Sequence, residues 1–165
     1  MMELPHVRLD FLGIEALDMR PAQNEIRARY GRGYHVNDDC LRDVAALWGI
    51  APQHDCINDS GVFIPYERIE CRAGRCSAKI RYASSPSGLW AMDTSYMTAT
   101  CGGGSSPSVW NGIAFLSEDD AKAAGIQALI ELFRNIADAG KSEAADARKL
   151  IQMLEEARTP QLALF

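Results

Sequence analysis

The stretch Arg75-Cys76-Ser77-Ala78-Lys79-Ile80-Arg81-Tyr82-Ala83 decides how the chain folds. Successive side chains of a strand point to opposite faces, so Cys76, Ala78, Ile80 and Tyr82 share one face while Arg75, Ser77, Lys79 and Arg81 share the other. One face is fit for a core and the other is basic. Two similar runs flank it, VFIPYERIEC from Val62 and LWAMDTSYMTAT up to Thr100, set off by Ala73-Gly74 and by the Ser/Pro/Gly cluster Ser84 to Gly88. Period-two runs with turn residues between them predict an antiparallel meander of about three strands.

Outward from the meander the pattern changes to helical. Asn37 is placed to cap DDCLRDVAALWG, in which Leu41, Val44 and Trp48 fall on one face and Gly49 stands at the stop. Downstream, Ser117 with Asp120 resembles a capping box and opens a helix from about Glu118 to Asp138. Its apolar stripe is expected to be Ala121, Gly125, Ala128, Leu132 and Ile136, joined by Leu129 and Phe133, and Gly140 ends it. Ser142 is expected to cap a further helix with Ala147, Leu150, Ile151 and Leu154 inward, until Pro160 disfavours more helix and leaves an extended tail. Residues 1–36 offer only a short alternation at Val7, Leu9 and Phe11, punctuated by Pro21, Gly31 and Gly33. The fold class is therefore α+β: an antiparallel sheet of about three to five strands, one helix before it and two after. The expected organisation is a single domain over residues 1–158 and a flexible tail over 159–165.

The 165 residues carry a formal charge of −5, so no global positive field gathers nucleic acid and any DNA contact must be local. The N-terminal MMELPHVRLDFLG has no basic leader or long apolar run, and no segment is long and apolar enough for a membrane, which points to a cytoplasmic protein with no membrane partner. Five cysteines without a secretion signal argue for free thiols or a metal over disulfides.

The local basic patch exists: Arg68, Arg72, Arg75, Lys79 and Arg81 lie in one hairpin against Glu70, with Tyr66 and Tyr82 as stacking candidates. A solvated outer strand face would show the same residues. For zinc, Cys71 and Cys76 are spaced C-x4-C across the turn, with His54 and Cys56 upstream as H-x-C, so four ligands are available. The stronger knuckle spacing is C-x2-C, and buried free cysteine is common, so no bound metal is expected. The glycines of CGGGSSPS permit close backbone approach to phosphate, yet the loop lacks the ending of a P-loop and the GxGxxG spacing, and nothing calls for a cofactor. Cys101, His35 or His54, and Asp93 supply a nucleophile, a base and an acid on paper without any motif that ties them together. Asp38-Asp39 and Glu118-Asp119-Asp120 stand where helix N-termini favour acids. These readings lean away from an enzyme. A small zinc- or cysteine-dependent nucleic-acid-processing enzyme is the remotest alternative.

The last five residues, Gln161-Leu162-Ala163-Leu164-Phe165, follow a helix-breaking Thr159-Pro160. They resemble the bacterial sliding-clamp-binding pentapeptide, Gln-Leu-Ser/Asp-Leu-Phe, in four positions of five, with a small residue at the variable one. The resemblance implies that Gln161 hydrogen-bonds at the rim of the clamp pocket, Leu162 fills a small apolar site, and Leu164 and Phe165 enter the main pocket. Short extended peptides do bind through a few apolar anchors. An edge strand or hydrophobic plug would need no such glutamine. More loosely, Gly88 to Ala137 resembles a module of partition-protein-like and DNA-methylase-associated proteins of phages and plasmids, in which a tryptophan strand, a glycine-rich loop and an alanine-rich helix follow one another. Here those parts are Trp90, Gly102 to Pro107, and Glu118 to Leu132. Together the resemblances imply a non-enzymatic mobile-element accessory protein that docks on the host polymerase clamp and recruits to, or interferes with, replication and repair. DNA or a DNA-bound host protein is a further partner on this reading. The alternative is a protein inhibitor of a host defence system, of the anti-restriction or anti-CRISPR type.

Overall fold

A computed structural model describes residues 3–9, 12–52 and 55–158. Among them the chain is α+β, with seven strands in one antiparallel sheet and four α-helices. A hairpin of β1 (His6–Leu9) and β2 (Ile14–Asp18) leads into α1 (Arg20–Tyr30), a 3-10 turn (Tyr34–Val36) and α2 (Asp38–Leu47). The meander follows as β3 (Glu67–Ala73), β4 (Cys76–Ser84) and β5 (Trp90–Met97), then β6 (Gly102–Gly104), β7 (Ile113–Phe115), α3 (Glu118–Asp138) and α4 (Ala144–Arg158). The sheet order is β1-β2-β7-β5-β4-β3. β5 is flanked by β4 along its whole length; on its other edge β7 pairs at Trp90 and β6 at Ser95 to Met97.

β4 alternates as its sequence predicts. Cys76, Ala78, Ile80 and Tyr82 are buried, while Ser77, Lys79 and Arg81 are only half-buried on the opposite face. Its turn to β3 is the two-residue Gly74-Arg75, where Gly74 at φ +55° supplies the positive φ that a type II′ turn needs at its first position. The buried face packs on α3 and α4. Ile126, Leu129, Ile130 and Phe133 of α3 and Ala147, Leu150 and Leu154 of α4 close over Cys71, Ala78 and Ile80. Each fully buried Leu or Ile there contributes about 1.5–3 kcal/mol of transfer free energy.

The other face is covered over one end only. α1, α2 and the segment 105–112 bury Ala83, Ala91 and Ala114 together with Trp48, Phe63 and Met19. The carbonyl of Val109 accepts from both Trp48 Nε1 and Gln23 Nε2 at 2.9 Å, which ties both helices to that segment. Two backbone links tie the segment in turn to residues 61–63, Phe63 N–H to Pro107 O and Val109 N–H to Gly61 O, each at 3.0 Å.

Asn37 caps α2 through Cys40 N–H, and Ser117 caps α3 through Asp120 N–H, so both starts are as the sequence places them. The stripe of α3 is turned slightly from the expected one: Ala124, Ile126 and Ile130 are buried, whereas Ala128 is exposed. α4 opens at Ala144, one residue later than a Ser142 cap would set it.

The strand and helix counts need correction. Seven strands replace three to five, and two α-helices precede the meander where one was expected. α1 buries only Ala22, Gln23 and Ile26, which leaves little periodic signal, and its Pro21, which looks like punctuation, occupies the first turn where proline is favoured. β6 and β7 are three residues each, and β6 is all glycine, so neither has a side-chain pattern to read. The expected flexible tail, 159–165, lies outside the described residues.

α3 crosses β4 and β5 closely at Gly125, where an added Cβ would stand 2.7 Å from Ile80 Cγ2 and 3.1 Å from Met92 Sδ. Gly125→Val is therefore expected to cost about 1–3 kcal/mol through overpacking, despite the general preference of helices for residues other than glycine. A lowered urea midpoint with an unchanged slope is the expected result.

Candidate nucleic-acid interface

Where the second layer stops, the sheet is open. Beyond Ala83 and Ala91 the same face of β4 and β5 continues as Arg81, Lys79 and Ser77 opposite Asp93, Ser95 and Met97. β3 adds Arg68, Glu70 and Arg72 by direct pairing, Arg68 with Arg81, Glu70 with Lys79 and Arg72 with Ser77. Four of the five basic residues singled out in the sequence thus share one face. The fifth, Arg75, sits in the β3–β4 turn, where its amide donates to Asp146 at 3.2 Å.

The remaining edge of this face is β6. Gly102 and Gly104 pair with Met97 and Ser95, and a Cβ on Gly104 would collide with Ser95. The bare glycine strand leaves a shallow recess of about 340 Å³, walled by Lys79, Arg81, Ser95 and Met97. Met97 is 60% exposed, a large apolar side chain at the lip.

Glu70 sits in the centre of the face. Its carboxylate takes Arg72 Nε at 3.0 Å and lies 3.9 Å from Lys79 Nζ. The hydrogen bond from Arg72 holds its carboxyl below the ordinary carboxylate range, with the charges of Lys79 and Arg68 adding to the effect. Neither Arg68 nor Arg81 makes an ion pair among the described residues; Arg68 acts on Glu70 only through its charge, and Asp93 is the cross-strand neighbour of Arg81. Arg81 donates through one terminal nitrogen to Ser105 O at 3.1 Å, and its guanidinium carbon lies 5.7 Å from the centre of the Tyr66 ring. Asp93, opposite Arg81 on β5, is engaged by the Thr94 N–H at 2.9 Å and the Asn111 amide at 3.2 Å.

The two tyrosines separate. Tyr66 is 39% exposed beside Arg81, whereas Tyr82 is buried on the helix-covered face; burial pushes its phenol up, against the opposing effect of the Lys122 ammonium 5.2 Å from its ring centre. Tyr82 is removed as a stacking candidate. Ser77, Ser95 and Met97 carry no signal in the sequence, since only the register brings them beside the arginines; the glycines of CGGGSSPS, expected as a loop able to approach phosphate, form β6 at the edge of this face.

The zinc candidates are not brought together. Cys71 and Cys76 point into the cluster under α3 and α4, while Cys56 packs in the other cluster, on the α2 side, and His54 lies outside the described residues. Among the described residues no group of three or more His, Cys, Asp or Glu is placed to hold a metal. The nucleophile, base and acid are dispersed as well. Cys101, in the β5–β6 turn, has its sulfur 3.3 Å from the Thr98 hydroxyl, Asp93 is on the open face, and His35 stands edge-on to Tyr34 at 5.6 Å. No helix among the described residues is long and apolar enough to cross a membrane.

Compared with family models, curated proteins and solved structures, the chain matches none.

Burial raises the thiols of Cys40, Cys71 and Cys76 above the ordinary range. The folded chain holds these protons more tightly than the unfolded one, so their contribution to stability is complete below the ordinary thiol range and is lost as pH rises through and beyond about 8.5. The denaturation midpoint is expected to fall over that window, less steeply in Cys71→Ala. In the native protein a thiol reagent should modify exposed Cys101 first, and Cys40, Cys71 and Cys76 only after denaturant is added.

Proposed function

We propose that this protein is a non-enzymatic accessory protein of a phage, plasmid or integrated element that docks on the bacterial polymerase sliding clamp through Gln161, Leu162, Leu164 and Phe165. The observation that carries the reading is the pentapeptide itself, a polar residue and three apolar anchors at the spacing of clamp-binding peptides, placed after Thr159-Pro160. Those residues lie outside the described part of the chain. The described part is compatible with such a role: Leu154 is the last buried residue of α4, and Glu156 to Arg158 are exposed, so the helix has left the core before the peptide begins. On this reading the folded body is cargo, held near replicating DNA or set in the way of other clamp clients.

Apolar anchors that fill a pocket dominate the affinity of short peptides, and losing one costs about 2 kcal/mol or more, which is roughly 30-fold. Purified protein is expected to bind a bacterial sliding clamp, Phe165→Ala to bind at least about 30-fold more weakly, and a chain ending at Pro160 not at all. Binding that survives the deletion, or no binding by the whole chain, overturns the proposal.

A further inference from the structure

We infer that the open face of β3, β4, β5 and β6 is a seat for single-stranded DNA, with a backbone phosphate held between Arg68 and Arg81 and a base stacked on Tyr66. The observation behind it is a conflict in the sheet. Arg68 and Arg81 are directly opposed across β3 and β4, an arrangement of like charges that destabilises a sheet. Among the described residues neither arginine is in an ion pair. The one acid on β3 that faces them, Glu70, is turned to Arg72 and Lys79, and Asp93 is held by Asn111 and its own strand. An anion between the two guanidiniums removes the conflict, and arginine forks suit phosphate oxygens.

The surroundings select the form of the anion. Lys79 lies two residues along β4 from Arg81, about 7 Å away, and offers a second phosphate contact on the same line. Ser95 and the side-chain-free Gly102 and Gly104 let a backbone approach the floor of the recess. Tyr66, with Arg81 against its ring, is an exposed stacking platform at one end of the row. Bases reach such a platform when they are free of a duplex. Four strands side by side span about 14 Å, wider than the roughly 12 Å major groove, so this face does not enter a double helix.

Two neutralised phosphates, one between Arg68 and Arg81 and one at Lys79, give a salt slope of about −1.4 for a single strand, so raising salt fourfold should weaken binding about 7-fold. The test uses the whole chain, with fluorescence anisotropy of a labelled oligothymidylate, the matching duplex, and inorganic phosphate as competitor. Saturable binding of the oligothymidylate at low salt with that slope, at least 10-fold weaker binding of the duplex, and no displacement by millimolar phosphate are expected. Arg68→Ala should reduce affinity at least 10-fold while leaving the melting temperature unchanged or higher, because it removes the repulsion; Tyr66→Ala should reduce affinity with a smaller change in salt slope. Equal affinity for duplex, displacement by free phosphate, or wild-type affinity in Arg68→Ala overturns the inference, as does a fall in melting temperature in that variant, which would make Arg68 structural. The seat does not involve the C-terminal peptide. A chain ending at Pro160 should bind the oligothymidylate like the whole chain, so failure at the clamp and failure here are separate results.

Discussion

The carbonyl of Val109 carries a disproportionate share of this structure. It accepts the indole N–H of Trp48 and the side-chain amide of Gln23, both in buried surroundings. Buried donors without partners cost about 1–3 kcal/mol each, so this one oxygen, together with Asn111 O on the same glutamine, makes it possible to bury both polar groups. The consequence is positional. α1 and α2 come from the N-terminal part of the chain, whereas residues 105–112 join β6 to β7, and the shared acceptor locks them into one layer over Ala83, Ala91 and Ala114. The layer ends at Ser105, whose carbonyl meets Arg81. What lies past that point is sheet with no cover.

This boundary explains why one face of one strand changes character midway. The face turned to α3 and α4 is apolar along all of β4, because both helices run across it. The opposite face is alanine where the second layer covers it and basic where it does not. Small residues at the covered end, Ala83 and Ala91, give the indole of Trp48 and the ring of Phe63 room to pack edge to face at 5.6 Å. At the uncovered end, long cationic side chains extend over the sheet and keep their heads in water. Glycine does the same work at β6 in the opposite sense, by adding nothing above the floor.

How much of this was legible in the sequence follows from what each element uses to hold itself. α2, α3 and β4 are written in caps and periodicity, and Asn37, Ser117 and the Cys76 to Tyr82 alternation locate them to within a residue. α1 is held by Pro21 in its first turn and by a buried glutamine, which leaves no apolar stripe to see. β2, β6 and β7 exist because neighbouring strands accept them, and three glycines or three residues of Ile-Ala-Phe state no preference of their own. The site has the same divide. The basic residues were visible as a cluster, but the opposition of Arg68 to Arg81, the burial of Tyr82 and the proximity of Ser95 depend on register, which local sequence does not specify. Cys71 and Cys76 show the converse: a spacing that suggests ligands belongs to two core thiols.

The acidic character of the chain and its basic face are consistent once distance is considered. At physiological salt, exposed charges more than about 8 Å apart are largely screened from one another, so the carboxylates on the outer surfaces of α2, α3 and α4 do little to the field at Arg68 and Arg81. Their effect is instead on what else the protein attracts: a net charge of −5 discourages indiscriminate contact with nucleic acid everywhere except where cations are concentrated. A weak seat of two phosphate contacts would on its own be occupied only briefly. Joined to the proposed peptide-mediated contact at the clamp, it would act at the effective concentration set by the chain between them, and two modest affinities would multiply. On the two proposals taken together, a cationic patch and a clamp-binding peptide, neither contact needs to bind tightly alone.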